Sequence, residues 1–148
     1  MKSSTMKFPT PQSQTPPSQA MRLATLPILL IEDEASIMAY VRAALERNGF
    51  PVVCSSSAID GIRLLESGQF AGIVSDMRTP GGLDGADVHA WVAKHRPELA
   101  SRIVFITGDI ANEETVTTLR RTGAPCVEKP FRVQPFIDVI QKTMGTSL

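Results

Sequence analysis

Most of the features that declare a specialised protein class are missing from this chain. Among its 148 residues there are only two cysteines, Cys54 and Cys126, too few for a disulfide framework or a cysteine metal set. Both sit in apolar, strand-like runs, where a thiol packs as a small hydrophobe. No apolar stretch approaches the roughly 20 residues of a membrane span. At the N-terminus, Lys2 and Lys7 lead into Pro, Ser, Gln and Thr rather than an apolar segment, so no secretory signal is read and a cytoplasmic location is expected. Charge of either sign is not in excess: 15 basic and 15 acidic residues are mixed along the chain. Without a basic stripe or arm the footprint of a nucleic-acid binder is absent, and Arg102, Arg120, Arg121 and Arg132 read as scattered, solvated side chains. No repeat is found.

What is present falls into two parts. Residues 1 to about 24 return again and again to Ser, Thr, Pro and Gln, with Pro9, Pro11, Pro16 and Pro17. Such a stretch buries too little apolar area to offset its ordering entropy, and a disordered tail or tether is expected. Residues 25–148 are expected to form one folded domain. There, strand-like and helix-like segments alternate: a strand over Leu26–Ile31, a helix over Ala35–Asn48 ended by Gly49, a strand over Phe50–Cys54, and a helix over Ala58–Ser67 stopped by Gly68. A strand over Ala71–Ser75 runs into Asp76. A turn with Pro80, Gly81, Gly82 and Gly85 leads to a helix from about Asp84 to Arg96, halted by Pro97. A strand over Arg102–Ile106, a helix over Asn112–Thr122, a short strand over Pro125–Glu128 and a last helix carrying Val133, Phe136, Ile137, Ile140 and Met144 complete the series. Five strands alternating with five helices imply an α/β, doubly wound parallel sheet. The flavodoxin-like order 2-1-3-4-5 is expected, which puts Cys54 and Cys126 at opposite edges and excludes a bond between them.

The chemistry is concentrated at the carboxyl ends of these strands. The first ends in Glu32-Asp33-Glu34, the third in Asp76, the fourth in Thr107 and the fifth in Lys129. Open α/β sheets bind ligands on that edge, at the switch point between strands one and three. Carboxylates gathered so closely repel one another, which a divalent cation would relieve. Taken singly, each group has a plainer reading. Asp76 is then a turn residue, Thr107-Gly108-Asp109 a turn and cap, Lys129 a solvated edge lysine, and Glu32–Glu34 the acidic first turn of a helix. Their joint occurrence at the right strand ends favours a site.

In order and spacing, Glu32-Asp33, Ser75-Asp76-Met77, Thr107-Gly108 and Lys129-Pro130-Phe131 resemble the receiver domains of two-component response regulators, over residues 27 to about 144. The resemblance implies phosphorelay signalling rather than conventional enzyme turnover, with only self-phosphorylation and autodephosphorylation. Asp76 would be the phosphoacceptor, taking a phosphoryl group from a partner histidine kinase or histidine phosphotransfer protein. Mg²⁺ would be held by Asp33 and Asp76 directly, by Glu32 through water and by the main-chain carbonyl of Arg78. Lys129 would pair with Asp76 and then with its phosphate, Thr107 would hydrogen-bond that phosphate, and the Lys129-Pro130 bond would be cis. Histidines 89 and 95 have no role in this reading and are expected on the third helix, partly exposed.

Three departures from the family pattern stand out. Cys126 occupies the position three before the lysine, usually an aromatic whose ring reports phosphorylation, and the loop after Gly123 is one residue short. Output is therefore expected through the backbone of the Thr107–Asn112 loop. Gly81-Gly82 inserts a residue into the turn after Asp76. Arg78 and Asp109, each two residues beyond a site residue, are expected to pair over the pocket and slow hydrolysis. Only Gly145–Leu148 follow the last helix, so output is expected through protein contact, with Val116 and Leu119 as candidate contributors. The chain would be either a free-standing regulator or the receiver of a hybrid kinase. Two alternatives are a small haloacid-dehalogenase-type phosphohydrolase and a phosphate-independent receiver-like binding module. The first expects Asp-x-Asp on the opening strand, whereas Glu32 and Glu34 flank Asp33 here.

Overall fold

The first strand, β1 (Ile28–Ile31), is buried at every position, which is what an apolar run with no polar face requires. The computed structural model describes residues 26–145; the tail expected over residues 1 to about 24 lies outside the described residues. After β1 come α1 (Ala35–Arg47), β2 (Val52–Ser55), α2 (Ala58–Ser67), β3 (Gly72–Asp76), α3 (Gly85–His95), a single 3₁₀ turn (Pro97–Leu99), β4 (Ile103–Thr107), α4 (Glu113–Thr122), β5 (Cys126–Glu128) and α5 (Val133–Met144). All pairings are parallel, in the order β2-β1-β3-β4-β5, the flavodoxin-like arrangement. Cys54 and Cys126 are both free, on the two edge strands.

Alternation along the strands divides the core in two. Ile28 and Leu30 of β1 join Val74, Val104 and Ile106 beneath Val41 and Leu45 of α1 and Phe136, Ile137, Ile140 and Met144 of α5. Leu29 and Ile31 face the other way, with Ile73, Ile103 and Phe105 against Leu65 of α2 and Val88 and Val92 of α3. Each large side chain fully buried in this way contributes about 1.5–3 kcal/mol. Val133 does not join them; at the first position of α5 it stays 36% exposed, because the inward stripe begins one turn later at Phe136.

Helix starts are set by side-chain caps. Ser57 accepts from Asp60 N at 3.1 Å, Asp84 and Asp87 form a reciprocal capping box, and Asn112 accepts from the N–H groups of Glu114 and Thr115. Asp84 and Asn112 thus precede their helices rather than open them. Gly123, at φ 69°, closes α4 in the left-handed conformation that a residue with a Cβ adopts at a cost. Helix α4 is the least apolar in its docking. Thr115 and Thr118 are its buried residues, Leu119 is half-buried against the α2–α3 side, and the buried Thr115 hydroxyl has no hydrogen-bond partner. An unmet buried hydroxyl costs about 1–3 kcal/mol. By contrast α5 is tied at its far end: Arg102 donates to the carbonyls of Ala71 and, at 2.6 Å, Met144. Among the described residues no helix is long and apolar enough to cross a membrane.

Candidate phosphoacceptor site

Parallel register brings the polar strand ends together. Ile31 pairs with Ser75, Asp76 with Ile106 and Thr107 with Glu128, so the residues that follow β1, β3, β4 and β5 emerge on one edge. The chain extends β1 by one step, since Glu32 N donates to Ser55 O at 3.0 Å. It extends β5 in the same way, with Lys129 N donating to Thr107 O at 2.7 Å. The Lys129-Pro130 peptide is cis. Glu32-Asp33-Glu34 is not the acidic first turn of a helix, because α1 opens at Ala35 and carries no acidic residue in that turn.

Glu32, Asp33 and Asp76 each offer a carboxylate oxygen within 4.8 Å of the others. Glu32 is fully buried, Asp76 buried and Asp33 exposed, so the cluster has a closed floor and an open mouth. Lys129 reaches over it: its Nζ lies 3.0 Å from Asp76 Oδ2, 2.9 Å from Glu32 Oε1 and 3.5 Å from Glu34 Oε1. Arg78 N donates to Asp76 Oδ1 at 3.3 Å, so the Asp76 carboxylate is held from both sides. Thr107, buried, accepts from Asp109 N through Oγ1 at 3.1 Å.

Electrostatics follow from this crowding. Burial pushes the Glu32 carboxyl above its ordinary value, and the Asp76 charge adds to the effect against the opposing pull of Glu34 N–H and Lys129. Burial works against the Lys129 ammonium too, but hydrogen bonding and attraction to Glu32 and Asp76 outweigh it and hold its pKa above the usual lysine value. Glu32 Oε2 accepts from Glu34 N at 3.0 Å. Glu32 Oε1 meets the Lys129 ammonium at 2.9 Å, and no other donor reaches this buried oxygen among the described residues. Three carboxylates within 4.8 Å of one another, with one ammonium beside them, are hard oxygen donors of the kind that a hard dication takes.

Two features differ from the sequence-based expectation or escaped it. The Arg78 guanidinium does not pair with Asp109; it reaches Glu114 Oε1 in the first turn of α4 at 3.4 Å. Asp109 instead donates its main-chain N–H to Thr107 Oγ1. Glu34, read only as the end of an acidic run, shares Lys129. Nothing in the sequence links Arg78 to Glu114, 36 positions on. His89 is half-buried and His95 exposed, both on α3.

A doubly wound sheet with an acidic cup and a lysine at its switch point defines a class of phosphoryl-accepting signalling domain. The chain belongs to the response regulator receiver domain family, which matches residues 28–141. It is 26% identical over 117 residues to the response regulator receiver protein CpdR of Brucella abortus, covering 79% of this chain and 95% of that protein. It is 21% identical over 121 residues to the putative response regulator NtrX-like of Rickettsia felis, covering 81% of this chain but only 25% of that one. The chain thus spans about a quarter of that longer relative. Among solved structures, the receiver domain of the sensor histidine kinase PA1611 from Pseudomonas aeruginosa superposes with a TM-score of 0.71 at 22% identity, over 82% of this chain and 98% of that one. That domain was solved with a magnesium ion coordinated in its active-site cleft. Receiver domains serve signal transduction in two-component systems and bind Mg²⁺ at an acidic pocket of this kind. Neither the hydrolase nor the phosphate-independent alternative gains support from these likenesses.

Proposed function

We propose that Asp76 accepts a phosphoryl group from a phosphohistidine on a cytoplasmic sensor kinase or phosphotransfer partner, and that the chain relays this as a change of its protein-binding surface. The observation that carries the reading is the placement of Lys129 Nζ at 3.0 Å from Asp76 Oδ2, above the cluster of Glu32, Asp33 and Asp76. An Asp76 oxygen attacks phosphorus in line, the P–N bond to the partner's imidazole breaks, and an acyl phosphate forms on Asp76. Arg78 N–H and Lys129 orient the carboxylate before attack, and Lys129 then balances charge on the transferred group. Thr107 Oγ1, which accepts from Asp109 N–H at the end of β4, would donate its own hydroxyl hydrogen to a phosphoryl oxygen. Mg²⁺, held by Asp33 and Asp76, by Glu32 through water and by the Arg78 carbonyl, would neutralise charge on the phosphoryl oxygens. Beside Lys129, a groove of about 320 Å³ lined by Ile37, Tyr40, Pro130 and Phe131 offers the partner an apolar footing next to the acceptor.

The test is labelling by a phosphohistidine donor or a small phosphoramidate in the presence of Mg²⁺. One phosphoryl group per chain, lost in Asp76→Asn and sensitive to hydroxylamine, is the expected outcome. Catalytic turnover of a phosphate ester without such labelling would instead favour the hydrolase.

A further inference from the structure

We propose that the Arg78 side chain is the switch element of this receiver: held by Glu114 before phosphorylation, it moves to the phosphoryl oxygens on Asp76 afterwards and frees the first turn of α4. The inference rests on Asp76 being the phosphoacceptor. Arg78 stands two residues beyond Asp76 and its own N–H is bound to Asp76 Oδ1, so its side chain starts at the rim of the reacting group. Its guanidinium nevertheless points across the mouth to Glu114, and that one contact joins the acceptor loop to the start of α4.

The strengths of the two competing contacts set the direction of exchange. Arg78 and Glu114 are 57% and 84% exposed, and they meet through a single pair of atoms at 3.4 Å. Exposed pairs of this kind are weak. A phosphoryl group brings up to two negative charges and three acceptor oxygens, which the planar fork of an arginine engages with two parallel bonds. The carboxylate loses that competition.

Helix α4 is built to respond. Its buried face is made of Thr115 and Thr118 with the half-buried Leu119, where α5 buries Phe136, Ile137, Ile140 and Met144. The buried Thr115 hydroxyl lacks a partner in the docked position, one residue from Glu114, and regains one on exposure to water. With Cys126 in place of a ring on β5, an ion pair between the acceptor loop and α4 supplies the mechanical link that the thiol cannot. Phosphorylation removes it.

The experiment compares amide shifts over Gly108–Thr118 of the full chain with and without beryllofluoride and Mg²⁺, at saturation judged by the bound fluorine signal. The parent, Glu114→Gln, Arg78→Ala and Arg78→Lys are measured side by side. Glu114→Gln should bind beryllofluoride like the parent, yet already show the displaced α4 shifts in its absence. Arg78→Ala should lose most of the beryllofluoride-induced shift in α4 at equal occupancy, with Arg78→Lys in between because lysine lacks the fork. A full α4 shift in Arg78→Ala, or parent-like shifts in free Glu114→Gln, overturns the relay while leaving Asp76 as acceptor. Absence of any bound fluorine signal in the parent overturns both.

Discussion

Lys129 Nζ sits 3.0 Å from Asp76 Oδ2 and 2.9 Å from Glu32 Oε1, so one ammonium serves two buried carboxylates that belong to different strands. Lys129→Met leaves these acids facing each other. Breaking a fully buried pair costs about 3–5 kcal/mol; here about 2 kcal/mol is expected in magnesium-free buffer, because Lys129 retains some solvent and Glu32, already raised, takes up a proton. Urea denaturation measures it. Millimolar Mg²⁺ should stabilise the parent, by about 2.7 kcal/mol at a hundredfold excess over Kd, and should do so far less in Asp33→Asn. Equal responses in both chains would remove Asp33 from the metal set.

Gly85 opens α3 against the end of β3. A Cβ there would lie 2.9 Å from Phe105 Cε1, 3.0 Å from Asp76 O and 3.1 Å from Met77 Cα. Two of these neighbours are main chain and cannot swing aside. Gly85→Ala is expected to destabilise by about 1–3 kcal/mol, and to slow labelling of Asp76 because the strain falls on the acceptor's own peptide. Thermal melts and labelling rates check both; unchanged values would show that α3 yields freely.

Burial pushes the Cys126 thiol up to about 11, with the negative charges of Glu128 and Asp76 adding to it. An unfolded cysteine titrates near 8.5, so the folded chain holds this proton more tightly. Its contribution to stability is complete below about pH 8.5 and is lost as pH rises through about 11. In a Cys54→Ser background, alkylation at pH 8 should therefore run on the order of a hundredfold slower than in the denatured chain. Matching rates would contradict it.

Much of the fold was legible because it rests on short-range regularities. Runs such as Ile28–Ile31 and Ile103–Thr107 have no polar face and end at turn residues, and Gly49, Gly68, Pro97 and Gly123 punctuate the chain between elements. The gathering of Glu32, Asp33, Asp76 and Lys129 was legible for a related reason: in a parallel sheet, being last on a strand already places a residue on the carboxyl edge. What escaped was decided by side-chain direction across space. Arg78 was expected to meet Asp109, yet its guanidinium reaches Glu114 in the first turn of α4, a choice between two carboxylates close in the sequence that spacing alone does not make. Arg102 read as one scattered cation, yet it clamps Ala71 and Met144, because main-chain carbonyls leave no trace in a sequence.

The outermost strands of the sheet are short, four residues in β2 and three in β5. So few residues give an approaching polypeptide little main chain on which to zip a further strand. Accretion by sheet extension is thereby discouraged, and self-association falls to the helical flanks, where side chains and not bare peptide groups choose the neighbour.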